Sequence, residues 1–260
     1  MPSGARSPFR TVLLLVLSGL AVVSASACGG GLIRQYEYEE EVYLSVDGSA
    51  SVYVNASLAA LVNLRGVDLK TDPTAQLDRD LVRKIFNSDV AHVVRVSAWR
   101  RFGRRFVQVR LQVDDITKLG QAPLFAWSTY QIDRPDDLLV YRQHMGASAG
   151  KPVGAVGWNG SELVAVRLHL PSRIRYHNAG ADNLRRGNIL VWEQTLADRQ
   201  AGKPLEIEAR IEHTSILYST LMLFAVSGGL ALLVMALLIW WVMKKGKGRE
   251  KADPTGVSRP

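Results

Sequence analysis

With 260 residues, 47% of them hydrophobic and 22% charged, the chain is long enough to fold and too apolar to be disordered. Its formal charge of +8 invites a nucleic-acid reading, but residues 29–215 carry 24 Lys plus Arg against 22 Asp plus Glu, so the excess lies at the ends and DNA or RNA is excluded as a partner. A single cysteine rules out a disulfide framework within the chain.

Residues 1–27 have the order of a secretory signal peptide. Arg6 and Arg10 precede an uncharged apolar run from Val12 to Val23, and the small residues Ser24 to Ala27 lead into Cys28. That run is too short to span about 30 Å of hydrocarbon. Ala25-Ser26-Ala27-Cys28 resembles the bacterial lipobox, which implies that the Cys28 sulfur takes diacylglycerol and becomes the first residue of a lipoprotein, residues 28–34 forming a lipidated N-terminus and linker. The same residues satisfy the A-x-A pattern of ordinary signal peptidase, which would leave Cys28 as a free N-terminal thiol.

Residues 35–213 read as one extracytoplasmic domain. Aromatic and β-branched residues on either side of Asp47-Gly48 predict a hairpin with strands Tyr36 to Ser45 and Ser49 to Val54. Helical spacing follows at Ser57 to Leu64, and again from Asp78 to Asn87, where Leu81, Val82, Ile85 and Phe86 share a face. Ala91 to Arg101 and Arg104 to Val113 alternate with period two about Phe102-Gly103, a second hairpin. Asp114-Asp115 caps a short helix, and strands are expected at Leu124 to Ile132, Leu138 to Gln143, Leu163 to Leu170, Ile189 to Trp192 and Leu205 to Ile211. A Gly-rich stretch from Gly146 to Gly160 reads as a mobile loop. The fold class these elements predict is α+β, antiparallel sheet with short helices on one side, plus one C-terminal transmembrane helix.

That helix is assigned to residues 219–243. Leu221 to Met243 holds no charged residue, and 23 residues make roughly 34 Å of helix. Lys244, Lys245, Lys247, Arg249 and Lys251 follow it directly, so residues 244–260 form a cytoplasmic basic tail and the domain lies outside. Tyr218 at the outer interface, and Trp240 and Trp241 with Lys244 and Lys245 at the inner one, serve as membrane anchors. Ala225 and Gly229, four apart, offer a small-residue face through which a homodimer could form. Short linkers at both ends of the domain are expected to bring its termini to one leaflet.

The lipobox-like Cys28, the opening strand with its Asp47-Gly48 turn, the segment Gly187 to Gln194 before a final strand, and the C-terminal span with a basic tail together resemble the LppM-like bacterial lipoproteins (DUF3153). The resemblance runs over most of the chain and implies an envelope domain concerned with lipid or glycolipid, without catalysis; it transfers no site residues.

Enzymatic chemistry finds little support. Gly146-Ala147-Ser148-Ala149-Gly150 fits the G-x-S-x-G elbow with Asp182 and His213 following, but Pro152 and Gly154 deny it the helix such an elbow needs. His92, His144, His169, His177 and His213 show no metal-ligand spacing, so neither metal nor cofactor is expected. Glu39-Glu40-Glu41 reads as a solvated edge strand. Arg100, Arg101, Arg104 and Arg105 form the candidate headgroup contact, and Arg173, Arg175, Arg185 and Arg186 a second basic cluster read as ordinary surface. The expected protein is a non-catalytic lipoprotein of the bacterial cell membrane whose partners are membrane lipids; the alternative is an interaction module that docks another membrane protein.

Overall fold

The computed structural model describes residues 34–72, 74–180, 184–185, 187–214 and 216–249. The signal peptide, Cys28, Asp182 and the end of the basic tail lie outside the described residues.

Two sheets form the domain. The larger has seven strands in the order β3-β4-β2-β1-β7-β10-β9, made of β1 (Tyr36–Leu44), β2 (Ala50–Ser57), β3 (His92–Arg101), β4 (Arg104–Val113), β7 (Leu163–His169), β10 (Ile189–Thr195) and β9 (Leu184–Arg185). In the smaller, β5 (Ser128–Asp133), β6 (Leu138–Met145), β11 (Leu205–Glu212) and β8 (Ile174–His177) run in the order β5-β6-β11-β8. All neighbours are antiparallel except β1 and β7, which run parallel after a connection that contains β2, β3, β4 and two of the smaller sheet's four strands, β5 and β6. The α+β expectation therefore holds, with one parallel pair it did not contain.

Local chemistry explains the elements. In β1 the alternation puts Tyr38, Val42 and Leu44 into the core and leaves Glu39, Glu41 and Tyr43 on the open face. Ser57 ends β2 and caps α1 (Leu58–Arg65), its hydroxyl accepting from the Ala60 N–H at 3.0 Å. In α2 (Arg79–Phe86) only Val82 and Phe86 are buried, and Leu81 faces out, because an eight-residue helix lying on a sheet buries a narrow i, i+4 stripe. Where one strand from Leu124 to Ile132 is expected, Pro123, which has no N–H to give a ladder, opens a 3-10 turn at Pro123–Phe125, and β5 begins only at Ser128. Strands β8 and β9 and the short helix α3 (Leu196–Gln200) are too brief to have left a periodic signal.

Gly120 lies in the turn Ile116–Gln121, hard against β5: a Cβ there would stand 2.7 Å from the Ser128 carbonyl oxygen. Gly120→Ala should cost about 1–3 kcal/mol through backbone displacement, read as a lower urea midpoint with unchanged slope.

The glutamate run is not an edge. Strand β1 lies between β2 and β7, and Glu40 is fully buried in a polar cluster inside the core. Its carboxylate accepts from Tyr130 Oη at 2.9 Å, Gln143 Nε2 and Tyr38 Oη at 3.1 Å, and Arg65 Nη2 at 3.4 Å. Arg65 also donates to Tyr38 Oη at 2.6 Å, and its guanidinium lies 3.3 Å from the centre of the Trp127 ring. Burial pushes the Tyr38, Tyr130 and Tyr141 phenols well up, which keeps them protonated as donors. Arg199, also fully buried, lies 4.8 Å from the same indole and donates to the carbonyls of Lys203, Met145 and Gly146; burial and the neighbouring Arg65 charge lower its pKa from the usual value.

The Gly-rich segment, without regular structure as expected of a loop, is tied to the domain by hydrogen bonds. The Ala149 and Lys151 N–H groups donate to the carbonyls of Leu64 and Asn63, and Asn63 Nδ2 donates to the Lys151 carbonyl, so the segment straps α1. Its far half is held by Arg104, which donates to the Val156 and Gly157 carbonyls, and by Trp158 Nε1, which donates to Glu37 at 3.0 Å.

The chain enters and leaves the domain at opposite ends. Arg34 leads into Tyr36, which pairs with Leu163, at the end of the large sheet that also carries the β3–β4 turn. The other end carries the Asp47-Gly48 turn, where Arg134 Nη2 donates to the Val46 carbonyl. Arg134 follows β5, whose Asp133 pairs with Val140, and Leu138 pairs with Glu212, the last residue of β11 before α4 (Ile216–Arg249). Nine residues of β1, about 30 Å, separate the two ends.

Candidate membrane-facing site

Helix α4 is exposed at every position from Thr220 to Lys244. Within it Thr220–Lys244 is the one helical stretch among the described residues that is long and apolar enough to cross a membrane. It begins at Ile216, three residues before the expected start, and continues to Arg249 through the expected end. Tyr218, Trp240 and Trp241 are exposed on it, and Lys244 Nζ lies 5.1 Å from the Trp240 ring centre; Lys245 falls in the same helix.

Beside the first turns of this span is an open cleft of about 940 Å³. Strand β8 supplies one wall, because its pairing with β11 sets Ile174 opposite Ile211 and His177 opposite Ala209, next to the point where β11 hands over to α4. The alternation of Arg173, Arg175 and His177 thus follows the junction, while Thr220 and Leu223 of the span close the cleft from the other side. Arg175 pairs with Glu212 at 2.5 Å, and His177 Nδ1 donates to the Ala179 carbonyl at 3.0 Å. Arg173, exposed in the same lining, makes no ion pair among the described residues, so the cleft keeps a positive charge beside the start of α4. Of the second basic cluster, read from sequence as ordinary surface, Arg173 and Arg175 line this cleft beside the start of α4, while Arg185 falls in β9 and Arg186 lies outside the described residues; the short β8 gave no signal, and only its pairing with β11 brings the first two there.

The four arginines expected to act together are divided. Arg100, Arg101 and Arg105 lie at the β3–β4 turn, but Arg104 is buried, 6% exposed, and its Nη2 donates to the fully buried Glu37 at 2.7 Å. It holds the fold and leaves the headgroup set. The turn itself is formed by Phe102 and Gly103, both at positive φ. An open cleft of about 770 Å³ lies between this hairpin and the start of α2, with Arg79, Trp99, Arg100 and Arg105 among its lining.

The elbow-like serine is structural: Ser148 Oγ donates to the Arg199 carbonyl at 3.0 Å, and no helix follows it. His213 stands at the opposite end of β11, about 25 Å of strand away, so the two are not brought together.

No family model matches the chain, and no curated protein matches it. Among solved structures it is similar to the NMR structure of the folded domain of LppM from Mycobacterium tuberculosis, at 13% identity over 72% of this chain and 96% of that one, with a TM-score of 0.36.

Proposed function

We propose that this chain is a non-catalytic lipoprotein of the bacterial envelope, acylated at Cys28 and anchored by α4 with its tail in the cytoplasm, whose domain binds anionic lipid headgroups where it meets the outer leaflet. The observation that carries this reading is the cleft beside the start of the span, where Arg173, Arg175 and His177 face Thr220 and Leu223. A helix that crosses at Thr220–Lys244 leaves these side chains at headgroup depth, and a cation there attracts anionic lipid by about 1 kcal/mol. The cleft is open and mixed in its lining, which suits a phosphate-bearing headgroup and not an extracted acyl chain.

Intact mass of the detergent-extracted chain tests both halves. Acylation appears as mass above the Cys28–Pro260 polypeptide that survives denaturation, and a bound lipid as an adduct seen only under native conditions. In nanodiscs of mixed phosphatidylglycerol and phosphatidylcholine, Arg173→Gln should reduce retention of the anionic lipid about fivefold, the equivalent of one surface charge. Unchanged retention refutes the headgroup reading and turns attention to a protein partner.

A further inference from the structure

We propose that the tip of the β3–β4 hairpin is a second membrane contact, in which the Phe102 ring enters the outer leaflet in which the chain is itself anchored and the Arg101 guanidinium stays at the phosphates. Phe102 has φ +51 and is followed by Gly103 at +70, a two-residue turn whose first position favours Asn, Asp or Gly. A bulky aromatic there is a backbone expense that the domain's own packing does not repay. The ring is 45% exposed, and the contact it makes is with the Arg101 guanidinium, 4.6 Å from its centre. One turn of the pleat back, Trp99 is 39% exposed while stacked on Phe106 at 5.9 Å. An exposed aromatic at the apex, a second behind it and cations beside both is the arrangement of an interfacial anchor, apolar body below and charge above.

Position gives the tip its occupant. It lies at the end of the large sheet where Arg34 enters, whereas α4 leaves from the other end, about 30 Å along β1. Five residues separate Cys28 from Arg34, and the six Cα–Cα steps between them reach roughly 20 Å even fully extended. On the proposed reading that Cys28 is acylated, on which this inference rests, the domain cannot stand upright on its helix. It must lean over until the Arg34 end comes within that reach, and the hairpin tip descends with it toward an anionic surface that complements Arg101.

The test uses the full-length chain carrying a nitroxide at Phe102→Cys, reconstituted in phosphatidylglycerol/phosphatidylcholine vesicles. A diacylated Cys28 is a thioether and takes no label, so labelling at one nitroxide per chain checks the anchor in the same sample. The expected result is that collisions with oxygen exceed those with a polar nickel complex by roughly threefold or more, as for a group below the headgroups. Cys28→Ser, which removes the acyl chain, should return the label to water-like collision rates. Water-like rates in the acylated chain overturn the proposal. Two labels per chain would instead report a free Cys28 and sink the lipoprotein reading, while lipid retention in the α4 cleft is read by a separate variant.

Discussion

Glu40→Ala should destabilise the folded domain by about 3–5 kcal/mol, because it leaves Arg65 buried with no carboxylate to face. Both members of this pair are out of water, with side-chain exposures of 2% and 0%. The loss is larger than a missing hydrogen bond, since the Tyr130 hydroxyl and the Gln143 amide lose their acceptor at the same time. Urea unfolding of the detergent-solubilised chain, followed by Trp fluorescence, should show a midpoint lower by roughly 2 M at a slope near 2 kcal/mol/M. Removing the whole charge pair should cost less than removing half of it. Compared with Glu40→Leu alone, Glu40→Leu combined with Arg65→Met is therefore expected to recover the part of the loss that comes from the stranded guanidinium, and the cycle of these two single variants and the double measures the coupling directly. Equal losses in the single and double variants would mean that the cluster is held by shape and not by charge.

Arg104→Met should act by the same physics at a different place. It strands Glu37, fully buried, and again about 3–5 kcal/mol is expected. What distinguishes the two sites is the strap. Arg104 also holds the Val156 and Gly157 carbonyls, so its loss should free the segment between residues 146 and 160, whereas loss of Glu40 should not do so selectively. Hydrogen exchange by mass spectrometry separates them: amides of that segment should exchange at least tenfold faster in Arg104→Met under conditions where the rest of the domain remains protected.

Much of the fold was open to local reading because its elements are local. The first hairpin obeys period two on each side of its Gly-containing turn, and β4 spans Arg104–Val113 as its alternation predicts, whereas β3 carries a register shift between Val93 and Arg95 that breaks the alternation expected of it. The burial of Glu40 could also have been read. Tyr38, Val42 and Leu44 share its parity, and a strand that sends those three inward sends the carboxylate with them. What local pattern cannot contain is the company each residue keeps. Arg104 looks like its three basic neighbours until Glu37 is set beside it by the β1–β2–β4 order, and the Gly-rich segment looks loose until α1 is found beneath it. The cleft at the span is likewise a product of pairing, since β8 has four residues and owes its position to β11. For the hairpin tip the opposite held: the aromatic and the arginines were visible, and what was hidden was which end of the domain they occupy.

The parallel partnership of β1 and β7 governs the order in which this protein can become itself. Strand β1 is made early, yet the neighbour that covers its second edge pairs Tyr43 with His169, more than a hundred residues later. Until that stretch of chain exists, the first hairpins present an unsatisfied row of amides and carbonyls, and the Glu40 carboxylate lacks the Tyr130 and Gln143 donors that make its burial tolerable. The amino-terminal half is thus no separate folding unit. A chain interrupted before β7 is therefore expected to leave β1 with an open edge and to be prone to aggregation and proteolysis, not to act as a smaller version of the whole.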